Sequence, residues 1–173
     1  TIMGDYSLPE KKLADVKMPT LVLDGGASFP FMHETADAIN QNLFLLERSS
    51  ARKVLILAAD HIYRMDYAAL LTAHDEKDAD LTIACMKVPL EEASAFGVMA
   101  VDGDQRIVEF QEKPDQPKGM PDDPGTALVS MGIYVFPKEL LMQELRSDAL
   151  RGESSHDFGK DLIPRLIGTH KVH

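Results

Sequence analysis

The stretch that most constrains this chain runs from Lys53 to Asp66, KVLILAADHIYRMD. Its four consecutive apolar residues, 54–57, are typical of a strand buried on both faces of a parallel sheet, although a buried helix can contain the same run. Two alanines and Asp60 end the run, and helical spacing follows. This order puts Asp60 at the carboxyl end of a strand, where open α/β sheets bind ligands. Asp60 is therefore a candidate metal ligand or substrate contact, with capping of the next helix as the structural alternative.

Apolar runs with strand and helix spacing alternate along the rest of the chain. A second β-rich run, Leu81 to Met86, follows the helix and predicts a strand, helix, strand unit with parallel strands. Asp-Gly-Asp at 102–104 lies between two alternating runs and predicts a hairpin. Further predicted elements are a helix over 33–48, a strand over 127–136, a helix over 138–150 and a short helix over 158–167 broken at Pro164. These elements predict an α/β fold with a mixed, mostly parallel sheet.

Composition narrows the class of protein. A length of 173 residues with 45% hydrophobic content fits one domain with a sizeable core. The formal charge of -10 argues against broad binding to nucleic acid or to anionic membranes. No apolar run approaches the length of a membrane span, and the first residues lack a basic region followed by an apolar one. We therefore expect a soluble cytoplasmic protein that binds neither nucleic acid nor membrane.

Polar residues at the ends of the later strands supply further candidates. Glu112 and Lys113 follow the second hairpin arm, where the carboxylate could accept sugar hydroxyls and the ammonium could face a phosphate; a solvated surface pair is the alternative. Gly97 and Ser130 could bring a backbone and a hydroxyl close to a ligand, or could be a β-bulge glycine and an ordinary strand serine. In SSHDFGKD, adjacent His and Asp at 156 and 157 favour a helix-capping role, because the members of a catalytic triad meet through the fold and not through consecutive positions.

Three blocks of sequence together resemble one family. LILAADHIYRMDY, then EEASAFGVMAVD with VEFQEKP, then SMGIYVF with SSHDFGKDLIP are similar to the catalytic domain of bacterial glucose-1-phosphate adenylyltransferases, from about Thr35 onwards. The resemblance implies a Rossmann-like nucleotidyltransferase domain that makes ADP-glucose and pyrophosphate from ATP and glucose 1-phosphate, for glycogen synthesis. It also implies Mg²⁺ as the cofactor and a homotetramer for the full-length protein.

The resemblance assigns roles to individual residues. Asp60 matches the aspartate that is essential to catalysis and belongs to the magnesium site. Four residues match the sugar-phosphate pocket, with the lysine on the phosphate: Gly97, Glu112, Lys113 and Ser130. Arg48 matches an arginine of the nucleotide effector site.

The chain also departs from the family. Its glycine-rich nucleotide loop is absent from these residues, and W-Y-x-G-T-A-D-A appears as FMHETADA over 31–38. We therefore predict an unassigned amino-terminal segment, 1–30, and a partial catalytic domain, 31–173, and expect this chain alone to be catalytically silent. The alternatives are a non-catalytic sugar-phosphate-binding or subunit-assembly module, and a sugar nucleotidylyltransferase that uses another base.

Overall fold

The computed structural model describes residues 39–40, 42–58 and 64–173, together with the backbone of residues 20–24. The described strands are β1 (Thr20–Asp24), β2 (Lys53–Leu57), β3 (Thr82–Pro89), β4 (Gly97–Val101), β5 (Ile107–Glu112) and β6 (Thr126–Pro137). The described α-helices are α1 (Leu43–Arg48), α2 (Tyr67–Glu76), α3 (Lys138–Ala149) and α4 (Ile163–Ile167). A 3-10 helix, Leu90–Ala95, precedes β4, and a π-helical turn, Phe158–Leu162, precedes α4. None of the described helices has the length and apolarity needed to cross a membrane.

The strands form one mixed sheet, which confirms the predicted α/β class. β1 and β2 pair in parallel, whereas β6 is antiparallel to β2, β3 and β4, and β5 is antiparallel to β4. Strands β1 to β4 therefore run in one direction. The predicted strand, helix, strand unit does give two parallel strands, β2 and β3, but β6 lies between them and pairs with both.

The central strand β2 is buried along its whole length, as predicted. Val54 and Ile56 pack in the core that α3 and α4 cover, and Leu55 and Leu57 pack in a second core beneath α2. Successive residues of a strand point to opposite faces, so an unbroken apolar run can fill both cores at once.

Side-chain caps explain where α2 and the hairpin turn begin. Asp66 precedes α2, and its Oδ1 accepts the N–H of Ala69 at 3.1 Å. In the turn between β4 and β5, Asp102 Oδ1 accepts the N–H groups of Asp104 and Arg106, both at 2.9 Å. This carboxylate satisfies two backbone donors that the strand ladder leaves unpaired, and the predicted hairpin is confirmed.

Two predicted helices differ in detail from the structure. The helix predicted over 33–48 is described as α1 only from Leu43, and the residues before 39 lie outside the described part. The helix predicted over 158–167 consists of the π-helical turn followed by α4, with Pro164 in the first turn of α4. Proline is tolerated there because an N–H in the first turn has no acceptor within the helix.

Candidate functional site

Gly97 and Glu112 face each other across the β4–β5 pair. A Cβ built on Gly97 would lie 2.4 Å from the ring of Phe110 and 2.9 Å from Glu112 Oε2. Any side chain at this position would therefore displace the ring or the carboxylate. The sequence predicted that Gly97 lets a ligand approach the backbone closely. In the structure, the groups that approach Gly97 are the side chains of Glu112 and Phe110.

Lys113 follows β5 in an unusual backbone conformation. Its φ is +46°, in the left-handed region, and it precedes Pro114, which disfavours helical conformations in the residue before it. Its N–H donates to the Phe96 carbonyl at 3.0 Å, which holds the turn in place. Its Nζ lies 3.9 Å from Glu112 Oε1, and the side chain is 57% exposed. The ammonium is therefore accessible at the rim of the Glu112 carboxylate.

Ser130 lies at a β-bulge in β6. The β3 partners of Ser130 and Ile133 are consecutive residues, so positions 131 and 132 are extra on β6. Gly132 has a φ of +66°, and its N–H donates to Ser130 Oγ at 3.1 Å. A Cβ built on Gly132 would lie 3.1 Å from the Cβ of Ala58, the residue that follows β2. The bulge therefore places Gly132, which bonds to Ser130, beside the residue that follows the central strand.

Tyr134 connects Ser130 to the acidic residues. It is 8% exposed, stacks on Phe158 with ring centroids 5.4 Å apart, and hydrogen-bonds to the Ser130 hydroxyl. Burial raises the pKa of Tyr134, and the negative charges of Glu112 and Asp157 raise it further, although the Ser130 bond opposes the shift. The phenol therefore remains protonated at neutral pH and keeps its capacity to donate.

Asp157 caps the π-helical turn, as the sequence predicts. Its Oδ1 accepts the N–H of Lys160 at 2.8 Å, and its own N–H donates to Asp161 Oδ2 at 3.1 Å. His156 does not cap this turn, because its Nδ1 lies 2.9 Å from Oδ2 of the buried Asp148. The two residues therefore have separate structural roles.

These contacts define one group, here called the Glu112 cluster. Its members are Gly97, Glu112, Lys113, Ser130, Tyr134, Asp157 and Gly159. The four residues that the resemblance assigned to the sugar-phosphate pocket are thus joined by three that it did not assign to that pocket: Tyr134, Asp157 and Gly159. Each of those three lies inside the blocks SMGIY or SSHDFGKD, but their relation to Glu112 depends on the fold and not on local spacing.

The two remaining sequence-predicted site residues are Asp60 and Arg48. Asp60 lies outside the described residues. Arg48 is exposed at the carboxyl end of α1, and the neighbouring carbonyl of Ser49 accepts a bond from Lys138 Nζ at 3.1 Å, at the end of β6 farther from Ser130. In the part of the chain that the structure describes, no three His, Cys, Asp or Glu residues are grouped to hold a metal ion.

Comparisons with known proteins identify the family of this chain. The family model described as "Nucleotidyl transferase" matches residues 9–173. The chain is similar to glucose-1-phosphate adenylyltransferase 2 of Vibrio cholerae, with 57% identity over 138 residues that cover 80% of this chain and 34% of the relative. It is 55% identical to the glucose-1-phosphate adenylyltransferase of Methylobacillus flagellatus, with 80% and 32% covered. For a second Vibrio relative, glucose-1-phosphate adenylyltransferase 2 of Vibrio parahaemolyticus, identity is 50%, with 90% and 38% covered. The chain thus spans about a third of the length of these relatives.

Proposed function

The chain belongs to the nucleotidyl transferase family, and we propose that it carries the sugar-phosphate half of an enzyme that transfers an adenylyl group from ATP to glucose 1-phosphate. In this reaction a phosphate oxygen of glucose 1-phosphate attacks the α-phosphorus of ATP. The products are ADP-glucose, which supplies glycogen synthesis, and pyrophosphate. Relatives that bear this activity in their names, at 50–57% identity, support the proposal.

The observation that carries the proposal is the convergence on Glu112 of groups suited to a sugar phosphate. The Glu112 carboxylate has an accessible ammonium 3.9 Å away, and its charge acts on the phenol of Tyr134, which bonds to the Ser130 hydroxyl. Carboxylates accept hydrogen bonds from sugar hydroxyls, and an ammonium complements phosphate as a point charge. The cluster therefore supplies acceptors for the sugar and a cation for its phosphate.

Each group has a role in this proposal. Glu112 accepts bonds from sugar hydroxyls, and Lys113 neutralises phosphate charge while the phosphate oxygen attacks. Ser130 supplies a hydroxyl to the pocket, and Gly97 keeps the space in which the Glu112 carboxylate lies. Nucleotidyl transfer depends mainly on holding the reacting phosphates in line and compensating their charge.

The nucleotide half rests on residues outside the cluster. We propose Asp60 as the catalytic aspartate and as a ligand of Mg²⁺, which when bound would compensate the charge of the phosphates. In the sequence, Asp60 is the third residue after Leu57, where β2 ends. Ala58, the first residue after β2, lies beside Gly132 of the β6 bulge. We also propose Arg48 as an effector contact, a cytoplasmic location, and a homotetramer for the full-length protein.

Binding of glucose 1-phosphate tests the sugar-phosphate half. We expect calorimetric titration of the purified chain to show binding, and Lys113→Gln to weaken it roughly ten-fold, as the loss of one charge-assisted contact predicts. Lys118→Gln is the matched control, because Lys118 is also exposed but pairs with Glu109 at 2.8 Å, away from the Glu112 carboxylate. Equal weakening in both variants would show a general loss of charge and would contradict the assignment of Lys113.

Turnover tests the nucleotide half. In a chimera, the 138 matched residues of this chain replace the corresponding residues of the Vibrio cholerae relative, and a coupled assay follows pyrophosphate release. We expect release to require ATP and glucose 1-phosphate, and expect Asp60→Asn to abolish it while leaving glucose 1-phosphate binding nearly unchanged. Sugar-phosphate binding without turnover in the chimera would favour the non-catalytic module, and turnover with another nucleotide would favour a different base.

A further inference from the structure

We infer that Gly159 is a positioning residue for Glu112. Because Gly159 has no side chain, the Glu112 carboxylate can occupy the adjacent space and adopt the orientation that a sugar requires. This inference rests on the function proposed above. A Cβ built on Gly159 would lie 2.4 Å from Glu112 Oε2 and 2.9 Å from Glu112 Cδ. Real Cβ atoms essentially never approach other atoms so closely, so alanine at this position cannot coexist with the present carboxylate orientation.

The same oxygen lies close to a second glycine. Gly97 faces Glu112 across the strand pair, and a Cβ built there would lie 2.9 Å from the same Oε2. The carboxylate thus lies next to two glycines on separate elements, β4 and the π-helical turn. Two glycines far apart in the sequence therefore leave the space that this carboxylate occupies.

The backbone at Gly159 has little freedom to withdraw from an added methyl group. Asp157 Oδ1 accepts the N–H of Lys160 at 2.8 Å, which closes the turn around Gly159. Asp161 Oδ2 accepts the N–H groups of Ser155 and Asp157, both at 3.1 Å, which ties the turn to the segment before it. The group that can yield is the far end of the Glu112 side chain.

Alanine at 159 is therefore expected to leave the fold in place and to turn the carboxylate away. A turned carboxylate loses its alignment with sugar hydroxyls, whereas phosphate recognition through Lys113 does not pass through Gly159. The Asp157 carboxylate also lies close, with Oδ1 3.3 Å from the same Cβ, but a shift of a few tenths of an ångström relieves that contact. The expected defect is thus in sugar recognition and not in affinity for phosphate.

Calorimetric titrations of the purified chain with glucose 1-phosphate and with inorganic phosphate test the inference. The variants are Gly159→Ala, Glu112→Ala, the double variant, and Gly152→Ala as the control, since a Cβ at Gly152 meets nothing within 4 Å. We expect Gly159→Ala to weaken glucose 1-phosphate roughly ten-fold without changing phosphate affinity. We expect no further weakening when it is added to Glu112→Ala, because the carboxylate it displaces is already gone. Gly152→Ala is expected to match the original chain.

The outcomes separate this inference from the proposed function. No glucose 1-phosphate binding by the original chain would overturn the proposed function and the inference with it. Normal binding by the original chain together with an unaffected Gly159→Ala variant, or an equal additional loss in the double variant, would overturn the inference alone. If Gly159→Ala fails to fold while the double variant folds, the steric coupling is supported; if neither folds, the turn itself rejects a side chain and the inference is wrong.

Discussion

Mild acid is expected to destabilise this fold through His74. The imidazole is 3% exposed on α2, and its Nδ1 lies 2.8 Å from Thr82 Oγ1. Burial, and secondly the positive charge of Lys53, lower the pKa of His74 from 6.5 to about 4, although the carboxylates of Asp75 and Asp80 act in the opposite direction. The folded chain therefore keeps this imidazole neutral at pH values where an unfolded chain protonates it.

The sign and size of the effect follow from that difference. Above pH 6.5 the imidazole of His74 is mostly neutral in both states, and its contribution to stability is fully present. Between pH 6.5 and about 4 the unfolded chain binds a proton that the folded chain excludes, so the free energy of unfolding falls by about 1.4 kcal/mol per pH unit. The total loss over this window is about 3 kcal/mol, a large part of the stability of an ordinary domain.

Urea unfolding at a series of pH values between about 7 and 4.5 measures this slope. The comparison is with His74→Gln, which cannot titrate at this position. Its own loss of stability shifts the whole curve without changing the slope, and the acidic groups that titrate at lower pH contribute to both proteins alike. We expect the original chain to lose stability faster on acidification, by about one proton. Parallel curves for the two proteins would refute the assignment of a neutral buried His74.

Two further predictions concern stability. Asp148→Asn is expected to lower the free energy of unfolding by about 2–4 kcal/mol, because this 1% exposed carboxylate accepts hydrogen bonds from arginine, histidine and serine side chains. Its control is Glu47→Gln, which removes an exposed ion pair and should lower the free energy of unfolding by less than about 1 kcal/mol. Gly132→Ala is expected to cost about 1–3 kcal/mol, because it combines a φ of +66° with crowding against Ala58, whereas Gly152→Ala should stay within about 0.5 kcal/mol. Urea unfolding at neutral pH checks both pairs, and equal losses within either pair would contradict its explanation.

Local signals in the sequence were sufficient for most of the fold. The run over 54–57 predicted a strand buried on both faces, and it fills the two cores on either side of β2. The Asp-Gly-Asp turn predicted the β4–β5 hairpin because Asp102 satisfies its unpaired backbone donors locally. Signals of this kind need only neighbouring residues, so they can be recognised without the rest of the chain.

The irregular parts of the site were not predictable in this way. ALVSMGIYVF has the composition of an uninterrupted strand, yet two of its residues form a bulge whose glycine packs against Ala58. Gly159 lies beside Glu112 although the two residues are 47 positions apart in the sequence. Periodic patterns of neighbouring residues cannot predict such a contact. Family resemblance identified four members of the cluster, and their geometry required the fold. The roles of these four residues, those of Asp60 and Arg48, and the boundary at residue 30 stay predictions.

Three departures from regular backbone meet at the Glu112 cluster, and together they give it a fixed shape. β6 bulges at Ser130, the backbone is left-handed at Lys113, and a π-helical turn carries Gly159. A left-handed conformation in a residue other than glycine costs on the order of 1–3 kcal/mol and persists only where surrounding structure enforces it. Here the Phe96 carbonyl holds the N–H of Lys113, and side-chain bonds close the turn around Gly159. The cost of this strain is therefore included in the folding free energy and does not arise when a ligand binds. Under the proposed function, the acceptors of the sugar phosphate would be oriented before it binds, which lowers the entropic cost of binding.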